Sequence, residues 1–316
     1  MLAARIHEDG APDVLTLEEV PDPVAGPGEV VVRLRTSALN HLDVWVRKGL
    51  PSVPKPRILG ADGAGVVETL GDGVEGLEVG QRVVLNPGIE HGSRISILGE
   101  HRDGTNAERI AIDARQVFPL VFETAYRMLV TRAGVQEGQW VLVWGIGGGV
   151  ATAAFELCRA LGVRTIVTSG SAEKLAAARE WGADVAVSHK DDDVVAAVKE
   201  ATGEGVDVVI ETVGEATWAR SLNAVRPAGK VVVCGATSGA NPPAMLHRFW
   251  WKQFDVLGSS MGTREDFIGA YDLVRSGQAR VHVDRTYPLA EIAAAHERLE
   301  AGEQLGKIVL QLPDGG

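Results

Sequence analysis

The stretch "WVLVWGIGGGVATAAF", residues 140–155, decides how this chain is read. An apolar run ends at Trp144. A turn of Gly145, Ile146, Gly147, Gly148 and Gly149 follows, and Val150 opens an amphipathic segment. On its own, a glycine repeat is a weak signal. Set between a strand and a helix it has a mechanism: glycines let the backbone approach a pyrophosphate, and the helix N-terminus presents N–H groups and the positive end of its dipole. Ala151 is the small residue expected to pack the helix closely on its strand. The bland alternative is a glycine-rich turn that binds nothing.

Working outward, short apolar runs alternate with amphipathic segments. The runs are "WVLVW", "RTIVTS", "DVAVS", "VDVVIE", "KVVVCG" and "FDVLGS"; between them stand "VATAAFELCRALG", "SAEKLAAAREWG", "DDDVVAAVKEATG", "ATWARSLNAVRPAG" and "PPAMLHRFWWK". Val150, Ala153, Ala154, Leu157, Cys158 and Leu161 recur at helical spacing. Strands alternating with helices predict an α/β fold built on a doubly wound parallel sheet of the Rossmann type. "ETAYRMLVTRAG" reads as a helix closed by its glycine.

The second run ends in "TIVTSGSAEK". An NAD site places Asp or Glu there for the ribose hydroxyls. Ser169, Ser171 and Lys174 stand here instead, two hydroxyls and an ammonium at a helix start, which suits a 2′-phosphate. NADP(H) is therefore expected over NAD(H). Alternatively, Ser171 only caps its helix and Lys174 is solvated. "TVG" at 212–214, "GATSG" at 235–239 and "GSSM" at 258–261 follow the fourth, fifth and sixth runs. Carboxyl ends of parallel strands are where ligands bind, so Thr212, Gly235, Ala236, Thr237 and Ser259 are cofactor candidates.

Before this region, "EVVVRLRTSAL", "GAGVVETL" and "QRVVLNP" read as strands separated by turns. Three segments are expected: a β-rich domain over 1–122, a dinucleotide-binding domain over 123–261, and a C-terminal segment over 262–316. The last ends in "GKIVLQL", a strand able to return to the first domain.

The formal net charge is −11 over 316 residues. That opposes binding to nucleic acid or anionic lipid. No apolar run is long enough for a membrane span, and the first residues lack a signal-peptide core. The two cysteines, Cys158 and Cys234, lie in apolar runs and read as reduced thiols. A cytoplasmic protein acting on a small molecule is expected. Two cysteines are too few for a structural thiolate zinc site.

"GADGAGVV" (60–67), "VEGLEVGQRV" (74–83), "TAYRML" (124–129) and the closing "GKIVL" carry a resemblance over nearly the whole chain. The sequence resembles the medium-chain dehydrogenase/reductase superfamily, in its zinc-free, quinone oxidoreductase-like branch. The resemblance implies a GroES-like first domain, an active site in the cleft between domains, and a homodimer paired through the sixth strand. In zinc-dependent members the catalytic ligands fall where this chain has Asn40, Ala61 and Leu120, none of which suits zinc. It implies further that Lys307 contacts the cofactor. Asp62 replaces the usual Glu, and no four-cysteine loop is present.

This bears on "SALNHLDVWVRKG", residues 37–49. Asn40 is a candidate for orienting the nicotinamide ribose or a substrate carbonyl, or else a buried amide pinning a turn. His41 is a candidate general acid near neutral pH, with partial exposure and no catalytic role as the alternative. Asp43 is expected to hold backbone or Arg47. Asp62 and Thr124 complete the catalytic candidates; His101 reads as a solvated loop residue. Trp250 and Trp251 read as packing residues or part of a dimer face.

The expected function is NADP(H)-dependent hydride transfer to a quinone, enone or similar activated carbonyl without zinc. The runner-up is an alcohol dehydrogenase-like enzyme of alcohols or aldehydes. A dinucleotide-binding protein with little catalysis is the rival from another class. The enoyl-thioester branch uses a tyrosine where this chain reads "KGLPSVP".

Overall fold

A computed structural model describes residues 1–91, 94–118 and 122–313. The chain divides into two units, Met1–Val121 with Val283–Gly316, and Phe122–His282.

In the second unit, six parallel strands form one sheet: Trp140–Val143, Arg164–Ser169, Val185–Ser188, Val206–Glu211, Val225–Val233 and Asp255–Gly258. Counted along the chain, they stand in the order 3-2-1-4-5-6 across the sheet. The order reverses between the first and fourth strands, which is the switch point where such sheets bind ligands. Alternation along the first strand builds two cores. Val141 and Val143 face Ala154, Phe155 and Cys158 of the helix Gly149–Ala160. Leu142 and Trp144 face Val198 and Leu222 on the opposite layer.

The segment expected as one helix from Glu123 is a short α-helix, Glu123–Tyr126, running into a π-helix, Arg127–Ala133. Gly134 ends it in the left-handed conformation, φ 64°, as a helix-terminating glycine does. The C-terminal segment expected from Gly262 is divided. Helix Arg264–Arg275 stays with the second unit, and the return to the first begins at Val283.

The first unit is built on a seven-stranded sheet. Its central strand, Glu29–Ala38, pairs antiparallel with Asp62–Leu70, Arg109–Asp113 and the C-terminal Lys307–Gln311. The expected return of "GKIVL" is thus a ladder: Ala38 pairs with Asp62 on one side and Val309 on the other. Val30, Val32, Leu34, Ile308 and Leu310 fill the core beneath. Ala38 therefore brings together Asn40 just beyond it, the start of the Asp62 strand and the start of the Lys307 strand. No helix among the described residues is long and apolar enough to cross a membrane.

Candidate active site

Two groups of candidate residues emerge, one in each unit. In the first unit, Asn40 precedes the helix His41–Arg47. The Asp43 carboxylate reaches back to accept the Asn40 backbone N–H at 2.7 Å and accepts that of Gly60 at 2.9 Å. Gly60 has φ +98°, and a Cβ there would collide with Thr105 and Asn106, so glycine is required at this corner. Asp43 is buried; its pKa is pushed up to about 6 by burial, against the pull of those two backbone donors. Of the two contacts expected of Asp43, backbone or Arg47, the backbone is the one observed. Arg47 donates to Gly10 O and to Glu300, because the C-terminal helix Ile292–Glu300 brings a carboxylate alongside.

Lys307 is the centre of this group. Its Nζ donates to Asn40 Oδ1 at 2.8 Å, Asp62 Oδ2 at 2.8 Å and Leu39 O at 3.1 Å. Asn40 Nδ2 donates to the same Asp62 oxygen at 3.1 Å. The lysine expected at the cofactor has each ammonium hydrogen engaged within its own unit. The His41 ring is tilted against Trp45. Burial, and then the Lys307 ammonium, hold its imidazole below the ordinary range. That shift favours the uncharged ring. His101 is half exposed, its Nδ1 accepting from Ile97 N–H, as a solvated loop histidine does.

Of the positions that resemblance gives to zinc ligands, Ala61 has no donor and the Asn40 oxygen faces an ammonium. Leu120 lies outside the described residues. Among the described residues no three His, Cys, Asp or Glu side chains gather to hold a metal.

In the second unit the glycine turn has the geometry its composition predicts. Gly145 and Gly147 have φ +68° and +140°, and a Cβ on Gly145 would meet nothing within 4 Å. Space for an approaching ligand therefore lies above the turn. Thr168, on the second strand, holds the turn's inner side: Gly145 N–H donates to its Oγ1 at 3.1 Å and Ile146 N–H to its carbonyl at 2.7 Å. Gly148 is the N-cap of the helix Gly149–Ala160, and no side chain caps it. The first N–H groups of this helix, Val150 included, are of the kind that can bind an anion.

At the end of the second strand, Ser169 Oγ accepts from Ser171 N–H, and Ser171 Oγ caps the next helix through Lys174 N–H. Capping is thus real, and each of the two hydroxyls keeps its own O–H to donate. Two residues escaped sequence reasoning here. A Cβ on Gly170 would fall 2.5 Å from Lys190 Cε and 3.1 Å from His189 Nε2. The loop after the third strand therefore lays a further cation beside Ser169–Ser171. Arg220 joins it, donating to His189 O and stacking over Trp144. "SHKDDD" at a strand's carboxyl end was the available signal.

The loops at 212–214 and 235–239 knit together: Thr237 N–H donates to Thr212 O and Ser238 N–H to Val213 O. Gly235 lies against Thr212, and Ala236 against Gly214. Buried Glu211 anchors them, accepting from Val213 N–H, Gly214 N–H, Thr217 and Ser221. Ser259 N–H donates to Val233 O, the next strand over. Thr124 is half-buried on its short helix. Trp250 and Trp251 are 66% and 84% exposed; they do not pack into the core.

Two family models match the chain: an alcohol dehydrogenase GroES-like domain over residues 26–121 and a zinc-binding dehydrogenase over residues 149–276. A quinone oxidoreductase of Pseudomonas aeruginosa is 32% identical, over 95% of this chain and 96% of its own. A 2-haloacrylate reductase of a Burkholderia species is 30% identical over 98% of each chain. The crystal structure of an NAD-dependent alcohol dehydrogenase superposes with a TM-score of 0.95. It is 36% identical, covering 99% of this chain and 100% of that one.

Proposed function

The chain belongs to the medium-chain dehydrogenase/reductase superfamily, and from that premise we propose an NADP(H)-dependent, zinc-independent reductase of quinones, enones or similar activated carbonyls. It is an oxidoreductase using a nicotinamide cofactor.

One observation carries the proposal: the lysine ammonium of Lys307 occupies Asn40 and Asp62, beside the positions where relatives hold a metal. Alanine and a charge-paired asparagine do not make a zinc site. Without a Lewis acid, oxidation of a simple alcohol lacks its activation. An enone or quinone is already electron-poor and needs less.

The nicotinamide, when bound, supplies or accepts the hydride. The protein's part is binding and orientation. The turn Gly145–Gly149 and the N-terminus of its helix suit the pyrophosphate. Ser169, Ser171, Lys174 and Lys190 suit a 2′-phosphate. Thr212, Gly235, Ala236, Thr237 and Ser259 line the carboxyl ends of neighbouring strands, and Thr124 completes the candidate set. The free thiols Cys158 and Cys234 suit the reducing cytoplasm.

The likeness to an NAD-dependent alcohol dehydrogenase favours a second reading, in which alcohols or aldehydes are substrates and NAD(H) the cofactor. Steady-state oxidation of NADPH and of NADH against quinones, enones and aldehydes separates the two. Turnover of enones or quinones with NADPH supports the proposal; turnover confined to alcohols and aldehydes with NAD(H) refutes it.

A further inference from the structure

The polar group of the first unit leaves one donor unspent. An ammonium has three N–H groups and no acceptor, and Lys307 uses all three, on Asn40, Asp62 and Leu39. Because lysine only donates, the oxygen of the Asn40 amide must face it and the nitrogen must face Asp62. An amide nitrogen has two N–H groups. Asp62 takes one; among the described residues nothing accepts the other. The chain of bonds also polarises this amide. The ammonium draws density through Oδ1, which strengthens the remaining N–H as a donor. Lys307 moreover neutralises the Asp62 carboxylate, which would otherwise oppose negative charge forming beside it.

We infer that the second amide N–H of Asn40 receives the carbonyl oxygen of the substrate, and that Lys307 is the positioning residue that orients and polarises that amide where relatives use a metal ion. The inference rests on the proposed reduction of an activated carbonyl. When an enone accepts a hydride at its β-carbon, the C=C electron pair moves to the α-carbon–carbonyl bond and the carbonyl π pair moves onto oxygen. The enolate oxygen then carries the charge, and the Asn40 N–H meets it. A proton from water goes to the α-carbon, leaving the saturated ketone. The nicotinamide supplies the hydride's two electrons. A donor aimed at a developing oxyanion contributes roughly 10²–10³-fold in kcat.

Lys307 as a cofactor contact and Lys307 as a positioning residue predict different losses. Five proteins are compared: wild type, Lys307→Met, Lys307→Arg, Asn40→Asp and the double variant that joins Lys307→Met to Asn40→Asp. NADPH affinity is titrated by fluorescence, and kcat is measured over a series of ring-substituted aryl enones. Lys307→Met is expected to hold its NADPH Kd within about twofold and to lose about 10²-fold in kcat, most for electron-rich enones. Asn40→Asp keeps the shape and an oxygen facing Lys307 but replaces the donor with an acceptor, and loses as much. Lys307→Arg, which keeps the charge, recovers part. Combining Lys307→Met with Asn40→Asp adds little, because the two act as one unit. Unchanged kcat in Lys307→Met, or a loss confined to NADPH Kd, overturns the inference and leaves the proposed function standing. A wild type that binds NADPH and reduces no enone or quinone overturns both. Circular dichroism checks folding; if Lys307→Met does not fold, Asn40→Asp decides alone.

Discussion

The choice between NADPH and NADH can be worked from the cations at the end of the second strand. Lys190 lies over Gly170, between Ser169 and Ser171, and Lys174 opens the following helix. A hydrogen bond to a charged group contributes about 1.5–3 kcal/mol. Both lysines are at least partly solvated, and charges in contact with water are screened. About 1–1.4 kcal/mol each is then reasonable, or roughly five- to tenfold in affinity per lysine. Wild type should bind NADPH about 25- to a hundredfold more tightly than NADH. Lys174→Ala and Lys190→Ala should each cut that ratio about five- to tenfold, and the double variant should bring it within about twofold of unity. NADH affinity should not change, because the turn Gly145–Gly149 serves either cofactor. Raising the salt should narrow the wild-type ratio and leave that of the double variant alone. The assay is fluorescence titration of both cofactors against the four proteins. Equal affinities in wild type, or an undiminished ratio in the double variant, would refute the reasoning and leave these residues as caps and solvated surface.

Other expectations follow from the same structure. Purified protein should hold no stoichiometric zinc by elemental analysis, and chelators should leave its activity intact; one tightly held zinc per chain would contradict the Asn40 and Ala61 argument. The edge strand Asp255–Gly258 and exposed Trp250 and Trp251 should be covered in a homodimer, so light scattering should give twice the chain mass and Val256→Lys should halve it. His296 is fully buried, neither ring nitrogen has a partner among the described residues, and burial reinforced by Arg47 holds its imidazole down to about 3. The unfolded chain takes up a proton below about pH 6.5 and the folded chain does not, so His296→Leu should gain about 2 kcal/mol over wild type in going from neutral pH to pH 5, read by urea unfolding.

Local patterns made most of the fold legible. Alternating runs and amphipathic segments suffice for a sheet ordered 3-2-1-4-5-6, since each βα unit announces itself within a few tens of residues. The glycine turn was legible for the same reason. Polar pairing was not. Arg47 sits four residues after Asp43, and helical spacing suggests a pair; its partner Glu300 is 253 residues away. Lys307 and Asp62 are separated by 245 residues, and only the strand ladder through Ala38 brings them together. His189 and Lys190 were missed because nothing local says which strand-end loop will lean over Gly170. The π-helix from Arg127 was likewise invisible, since its residues have the same apolar spacing as an α-helix.

The polar group around Asn40 also explains why an aspartate is tolerated where burial opposes its charge. The folded-state pKa of Asp43, about 6, lies above the ordinary aspartate value of 3.8. Between those values the folded chain binds the proton more tightly, so stability present below about pH 4 is lost as the pH rises to 6, by roughly 3 kcal/mol. The loss has the opposite sign to that from His296, which grows as the pH falls through the same range, so the two offset each other there. What the carboxylate secures in return is geometric. Both its oxygens accept backbone donors, at Asn40 and Gly60, and an amide of the same shape has only one oxygen to offer. Asp43→Asn would remove the charge and leave one of those N–H groups without an acceptor, at a cost of about 1–3 kcal/mol. The group left unanchored would be the backbone of Asn40 or the corner leading into Asp62, the two residues whose side chains Lys307 holds.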